Sequence, residues 1–217
     1  MTRPVELERS AADFFPARVT LSTLAEAARE CRGCDLYRDA TQTVFGEGVP
    51  RAELVLVGEQ PGDREDREGR PFVGPAGRLL DDSLAEAGIE RDDVYLTNVV
   101  KHFKFELRGK RRIHRKPDLH EQAACRPWLE AELEQIRPTA LVLLGATAAQ
   151  ALLGRDFRVT KDRGTWVPAP YAPLVTATVH PSSILRAPDD TREAERTLFV
   201  RDLAMVAAEL ERRRRSA

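Results

Sequence analysis

Short apolar runs alternate with amphipathic stretches along the chain. Four of the runs are continuous aliphatic blocks bounded by polar residues or glycine, which is typical of strands buried on both faces. They cover residues 53–58, 93–99, 139–145 and 174–180. The spacing of apolar residues predicts helices over 75–88 and 119–136, and a long closing helix over 191–213. Alternating strands and helices predict an α/β fold, a three-layer αβα arrangement around a central, mostly parallel four-stranded sheet.

The chain has 217 residues, enough for one α/β domain spanning 1–217, and no repeat or linker divides it. We expect residues 1–20 to form a loosely structured N-terminal segment and residues 157–170 to form a small hairpin or a loop. The apolar runs are too short for a transmembrane helix, and the N-terminus does not resemble a secretory signal. These features predict a cytoplasmic protein without a membrane partner, with a monomer as the default.

Four loops follow the predicted strands at their carboxyl ends. They are GEQPG (58–62), TNVVKHF (97–103), GATAA (145–149) and HPSSILR (180–186). Ligands of open parallel sheets bind beyond the carboxyl ends of the strands. Three of the four loops carry polar or glycine–proline chemistry, so we expect a functional site along this edge.

A basic run, GKRRIHRK (109–116), places five lysines and arginines around an isoleucine and His114. The formal net charge of the chain is only −1, so any binding of nucleic acid must come from local clustering of this kind. By itself the run fits a solvated loop as well as a contact with nucleic acid.

Three cysteines form a second candidate site. Cys31 and Cys34 make a C-x-x-C pair, and Cys125 lies on the predicted helix 119–136. The odd number argues against a secreted disulfide framework and leaves open three buried residues, a redox pair or a metal site. A metal site needs a fourth ligand, for which His102 and His120 are candidates, and the spacing does not choose between zinc and an iron–sulfur cluster.

The motifs GEQPG, GRPFVGPAG, TNVVK, CRPWL and HPSSILR occur in this order over about residues 31–186. Together they resemble the iron–sulfur uracil-DNA glycosylases of the family-four type. The resemblance implies a uracil-DNA glycosylase-like fold and a [4Fe–4S] cluster as cofactor, with zinc less expected. The third family cysteine is replaced here by histidine. The implied metal ligands are Cys31, Cys34, His102 and Cys125.

Two departures from the family pattern resemble the UdgX type, whose members become covalently trapped on the abasic sugar they create. They are Gln60, where the family commonly has alanine, and the inserted KRRIH segment, which accompanies KHFKF. This resemblance implies excision of uracil from DNA, expected to be single-stranded, and capture of the sugar C1′ by His114.

Other functions stay open at this stage. One is a conventional turnover glycosylase in which KRRIH is a DNA clamp, and another is a non-catalytic module that binds uracil-containing DNA. A zinc nucleobase deaminase is discounted because the chain has no H-x-E signature.

The resemblance also implies roles for residues at a uracil pocket. Phe72 would stack on the flipped base. Asn98 would pair with uracil O4 and N3–H, because an amide supplies an acceptor and a donor. His180 would donate to uracil O2 and stabilise the departing anion. Gly58 and Gly62 would permit a tight turn and a close approach of DNA.

On the sugar side, the implied nucleophile is a neutral His114, whose unperturbed pKa would lie near 6.5. Glu59 would orient its ring and act as a general base, and Gln60 would shape this side of the pocket. Ser182 and Ser183 would cap a helix or contact phosphate. Arg186 would grip the DNA backbone or fill the gap left by the flipped base. Further phosphate contacts are expected from Lys110, Arg111, Arg112, Arg115 and Lys116.

Overall fold

Five strands form the central sheet of the computed structural model, which describes residues 9–216. The strands are β1 (Glu47–Gly48), β2 (Leu54–Gly58), β3 (Val94–Asn98), β6 (Ala140–Leu144) and β7 (Leu174–Thr178). Their order is β1-β3-β2-β6-β7, and every pair is parallel except β1 with β3. The four predicted strands and the αβα class are therefore confirmed. The antiparallel edge strand β1 was not predicted, because two residues are too short to leave a pattern.

Helices cover the sheet, and a separate hairpin projects from it. The hairpin consists of β4 (Phe105–Arg108) and β5 (Arg111–His114). Within residues 9–216, no helix is both long and apolar enough to cross a bilayer. The helices are α1 (Leu21–Ala28), α2 (Asp63–Glu68), α3 (Pro75–Glu86), α4 (Leu119–Ile136), α5 (Ala146–Leu153), α6 (Val159–Asp162), α7 (Pro181–Leu185) and α8 (Asp189–Ser216).

Every residue of the four parallel strands is buried. On one face, Val55 and Leu141 belong to the cluster that contains Trp128 of α4. On the other face, Leu56 packs in the cluster that contains Phe199 of α8. A strand with helices on both faces needs apolar residues at successive positions, which explains why these strands appear in the sequence as unbroken aliphatic runs.

Two segments differ from expectation. Residues 9–20 include a 3-10 helix, Ala11–Phe14, that is capped by Ser10 and places Ala11 fully inside the core. This part of the N-terminal segment is therefore ordered, while residues 1–8 lie outside the described residues. The segment 157–170 forms no hairpin: Val159–Asp162 is α6, and the rest is loop, as the second alternative predicted. Beyond α6, Gly164 and Val167 donate backbone hydrogen bonds to β7.

A buried ion pair joins the end of β3 to α4. Lys101 and Glu132 are both fully buried, and the Lys101 ammonium donates to the Glu132 carboxylate. The same ammonium donates to Thr97 Oγ1 at 2.6 Å and to the Asn98 carbonyl at 2.8 Å. Glu132 Oε1 also accepts from the Tyr95 hydroxyl at 2.9 Å. The three ammonium hydrogens thus all have acceptors, which offsets the cost of burying the charge.

We predict that Glu132→Gln lowers the free energy of unfolding by about 3 to 5 kcal/mol, because it leaves the Lys101 charge buried without its counter-ion. Urea denaturation followed by circular dichroism measures the change. Glu134→Gln, on the exposed face of the same helix, is the matched control. A loss in Glu132→Gln no larger than in the control would contradict the prediction.

Candidate active site

A cavity of about 710 Å³ opens at the carboxyl edge of the sheet, where β2, β3, β6 and β7 end. Most of the predicted site residues meet there. Those that line it are Glu59, Gln60, Gly62, Phe72, Asn98, His114, His180, Ser182, Ser183 and Arg186. A larger open groove at the opposite edge, lined by Pro138, Thr139 and Pro173 among others, contains none of them. The carboxyl-edge cavity is therefore the candidate active site.

The Phe72 ring and the Asn98 amide lie side by side against β2. A side chain at Gly58 would collide with both, so glycine is what allows them to approach each other. Phe72 is buried and has a left-handed backbone with φ 56°, an uncommon conformation for an aromatic residue. Among the described residues, the Asn98 side chain makes no hydrogen bond, so its amide is free for a ligand in the cavity.

His180 is held in one tautomer. It caps α7, and the Ser182 backbone N–H donates to its Nδ1 at 3.1 Å. Because Nδ1 accepts, the proton of the neutral ring lies on Nε2. Burial, with help from Arg186 and His114, lowers the pKa of His180 to about 4, so the ring is neutral at pH 7. Its centroid lies 6.1 Å from that of Phe72, and the neutral ring can donate to a base stacked on Phe72.

Glu59 and His114 face each other across the cavity. Glu59 Oε1 lies 3.4 Å from His114 Nε2, and it is a buried oxygen without a hydrogen-bond partner among the described residues. The other oxygen, Oε2, accepts from the Thr147 hydroxyl. Partial burial and Arg186 lower the pKa of His114, and the Glu59 carboxylate opposes this shift. About half of the His114 side chain is exposed, so the ring is open to a ligand in the cavity.

The basic run forms the hairpin instead of a loop. Gly109 occupies its turn with φ 60°. Phe105 pairs with His114, and Leu107 pairs with Arg112, so these four side chains share one face of the hairpin. The position of His114 is therefore set by the backbone pairing of two strands.

Arg112 anchors the hairpin to the protein. Its guanidinium donates to the carboxylates of Asp63 and Asp66, and it lies 5.4 Å and 5.0 Å from the ring centroids of Phe103 and Phe105. Only 12% of the side chain is exposed. This pairing argues against the expected contact of Arg112 with DNA phosphate, because the charge is already neutralised inside the protein.

Gln60 fixes the base of the hairpin. Its Nε2 donates to the carbonyls of Arg115, at 2.9 Å, and Lys104, at 3.2 Å. Its Oε1 accepts from the Lys104 N–H at 2.9 Å. Both polar atoms of the Gln60 side chain therefore hydrogen-bond to the main chain at the base of the hairpin that carries His114. Gln60 lines the cavity and also positions the hairpin, and its catalytic role on the sugar side stays a prediction.

Some of the other side chains predicted to contact phosphate already have a partner within the protein, and others have none. Arg115 forms an ion pair with Glu106. The hydroxyls of Ser182 and Ser183 hydrogen-bond to His180, at 2.8 Å to Nδ1 and 2.7 Å to its carbonyl, and both serines therefore support that residue rather than present free hydroxyls. Of the cations in the basic run, Lys110, Arg111 and Lys116 are exposed and form no ion pair with the described residues.

Glu65 and Thr147 are among the cavity residues that were not predicted. Glu65 accepts from the N–H groups of Gly62, at 3.1 Å, and Gly74, at 2.7 Å, and so joins the loop after β2 to the loop that carries Phe72. The sequence signal that could have identified Glu65 is its place three residues after Gly62, the N-cap of α2, where a glutamate often accepts from the N-cap backbone. Thr147 is the other, and a threonine in the first turn of α5 carries no distinctive pattern.

The three thiols and His102 lie close together in the core. The Lys101 N–H donates to Cys125 Sγ at 3.2 Å, and the next residue, His102, lines a small cavity of about 170 Å³ with Cys31. Cys31 and Cys34 are near enough to Cys125 for both to help burial raise the pKa of its thiol. His102 is buried, whereas His120 is exposed. The surroundings therefore favour His102 over His120 as the fourth ligand.

The donor set consists of three thiols and one imidazole, which are ligand types of zinc sites and of iron–sulfur clusters alike. Within residues 9–216, no group of three or more potential ligands is arranged to hold a metal ion. Burial raises the pKa of Cys34 to about 11 and lowers that of His102 to about 4. A buried thiol of this kind needs a cation to become the thiolate that ligates metal.

The fold and the cavity define an α/β protein with an aromatic floor, a free amide and a neutral histidine donor for a planar base. The family model of the uracil-DNA glycosylase superfamily matches residues 45–204. The chain belongs to this superfamily.

Several curated relatives are Type-4 uracil-DNA glycosylases. The relative from Thermotoga maritima is 41% identical over 167 residues, which cover 76% of this chain and 83% of that protein. The relative from Sulfurisphaera tokodaii is 38% identical over 178 residues, 78% of each chain. The one from Pyrobaculum aerophilum is 34% identical over 192 residues, 85% of this chain and 92% of that protein. The predicted resemblance to the family-four type is therefore confirmed at the level of homology.

We predict that Arg112→Gln loosens the hairpin, because it removes the charge that pairs with Asp63 and Asp66. Hydrogen exchange of residues 105–114 should lose protection by about tenfold or more, the equivalent of one charged hydrogen bond. Arg111→Gln, on the exposed side of the same strand, is the control and should leave exchange unchanged. Equal protection in the two variants would show that Arg112 is not the anchor.

Proposed function

We propose that the protein excises uracil from single-stranded DNA and is then trapped covalently on the sugar C1′ through His114. The observation that carries the proposal is the approach of Glu59 Oε1 to His114 Nε2, at 3.4 Å, in the cavity that also contains His180. The Type-4 glycosylases among the relatives support the excision step.

Recognition of uracil begins when the base leaves the stack and enters the cavity. Phe72 supplies a flat apolar surface for it. The free amide of Asn98 then accepts from N3–H and donates to O4. Cytosine presents the opposite pattern at these positions, so it leaves the buried amide badly paired and binds less well.

Cleavage breaks the bond between C1′ and uracil N1, and its electron pair leaves on the base. The His180 Nε2–H donates to uracil O2 and stabilises the anion as it forms. Since His180 is neutral, it acts by hydrogen bonding and keeps its proton. The sugar becomes an oxocarbenium ion with an electron-poor C1′.

Trapping follows when a neutral ring nitrogen of His114 donates its lone pair to C1′. The new C–N bond replaces the broken one, and the ring becomes an imidazolium that still carries a proton on its other nitrogen. Glu59 accepts that proton or holds it in a hydrogen bond, which offsets the new charge. An imidazole bonded in this way is a poor leaving group, so each protein molecule reacts once.

The DNA contacts are expected from the exposed cations Lys110, Arg111 and Lys116, which flank His114 in the sequence. Their charge is local, because the chain as a whole is near neutrality. Single-stranded DNA is the favoured substrate since no base pair must be broken before uracil enters the cavity. Arg186, at the mouth of the cavity, is suited to the DNA backbone or to the gap left by the base.

The buried donor set supports a [4Fe–4S] cluster held by Cys31, Cys34, His102 and Cys125. When bound, such a cluster supplies a redox-active centre and a covalent link between α1, α4 and the segment after β3. Because a neutral histidine replaces a thiolate, the net charge of the bound cluster with its ligands would be less negative by one.

The central prediction concerns the product formed with a uracil-containing single-stranded oligonucleotide. Wild-type protein should give a band that survives heat and detergent in denaturing electrophoresis, because the C–N bond is covalent. His114→Ala should abolish this band, while His120→Ala, an exposed histidine outside the cavity, should retain it.

Two other results would reject the proposal. Release of free abasic DNA over many turnovers by the wild type would identify a conventional glycosylase in which the hairpin only clamps DNA. Reversible, salt-sensitive binding without release of uracil would identify a binding module.

A further prediction concerns the cofactor. The protein purified without oxygen should be brown and contain about four iron atoms per chain. His102→Ala should lower the iron content and the visible absorption, and His120→Ala should not. A colourless protein with one zinc per chain would contradict the cluster. Iron loss in His120→Ala but not in His102→Ala would show that His120, and not His102, is the fourth ligand.

A further inference from the structure

Thr147 lies beside the proposed nucleophile without contacting it. It is 5% exposed and belongs to the first turn of α5, directly behind the loop after β6. Its hydroxyl donates to Glu59 Oε2. This hydrogen bond joins residues 88 positions apart in the chain, so it exists only because β2 and β6 are neighbours in the sheet.

The hydrogen bond determines which carboxylate oxygen meets His114. With Oε2 held by Thr147, Oε1 is the oxygen directed at His114 Nε2, and it has no hydrogen-bond partner among the described residues. A buried carboxylate oxygen without a partner is unfavourable, and such an atom is found where a ligand or a reaction supplies the missing partner. Here the imidazolium formed on trapping would supply it.

A glutamate does not hold this orientation by itself. Rotation of a carboxylate about its last side-chain bond is broad and has no sharp minimum. Threonine is a suitable anchor because its branched β-carbon restricts its own rotation within a helix. Since α5 packs against the sheet, the hydroxyl of Thr147 is a fixed point to which the carboxylate can bind.

We propose that Thr147 is a positioning residue for trapping, which fixes the Glu59 carboxylate so that its free oxygen serves His114. The inference rests on the proposed function, since it assigns Glu59 to the capture step. Thr147 does not hydrogen-bond to Asn98 or His180, so its effect falls on capture of the sugar more than on excision of the base.

The experiment measures two products in a single turnover with a uracil-containing single-stranded oligonucleotide. One is released uracil, and the other is the heat-stable adduct. Their ratio gives the fraction of excised sites that end as adduct. Unfolded protein forms neither product, so this fraction does not depend on how much of a variant is folded.

Thr147→Val keeps the shape of the side chain and removes the hydroxyl, whereas Thr147→Ser keeps the hydroxyl. We expect Thr147→Val to slow adduct formation about ten- to a hundred-fold, the loss of a hydrogen bond to a charged group, and to leave more free abasic DNA. Thr147→Ser should restore most of the adduct fraction. In a Glu59→Ala background, Thr147→Val should have no further effect.

Thr176→Val is the matched control. Thr176 is also a buried threonine, on β7, and its hydroxyl has no partner among the described residues. An adduct fraction in Thr147→Val equal to that of this control and of the wild type overturns the proposal. Should Thr147→Val not fold, Thr147→Ala and Thr147→Ser give the same comparison. If the wild type itself forms no adduct, the proposed function fails instead, and the two failures are distinguishable.

Discussion

The Lys101 ammonium and the Glu132 carboxylate lie side by side, fully buried, where the segment after β3 packs against α4. Both proposed centres depend on this pair. Lys101 holds the Asn98 carbonyl, and so the end of the strand that presents the amide proposed to pair with uracil. The two residues after Lys101 are His102, a proposed cluster ligand, and Phe103, whose ring lies 6.1 Å from that of His114. One buried charge thus fixes a segment that contributes to the proposed base site, the proposed metal site and the support of His114.

The residues of the candidate active site are held in place by two different parts of the fold, the central sheet and the hairpin. The floor of the cavity consists of Phe72, Asn98 and His180, which are attached to strand ends and helix caps of the central sheet. The proposed nucleophile, His114, instead comes from a hairpin that is held by the side chains of Arg112 and Gln60. Because the hairpin has its own anchors, it brings His114 to the cavity without contributing to the floor.

Local patterns in the chain were sufficient for the four parallel strands and for the edge of the sheet at which the cavity lies, and the family resemblance supplied the roles of the cavity residues. The aliphatic runs located four strands, and the parallel connection between them directed the loops after each strand to one edge. For this reason Glu59, Asn98 and His180 could be assigned to one site although 121 positions separate the first from the last. The hairpin was missed although Phe105–Arg108 alternates and Gly109 marks a turn, because the charges of the second strand were interpreted as a loop.

The sequence by itself therefore determined the fold class, the edge of the sheet that carries the site and the residue types that gather there. Only the tertiary structure decided what each charged or polar side chain does. Arg112 and Arg111 are neighbours of the same type, yet Arg112 pairs with Asp63 and Asp66, and Arg111 faces solvent. Such partners lie more than 40 positions away in the chain, and short-range pattern contains no information about contacts that form only when distant strands and helices pack together.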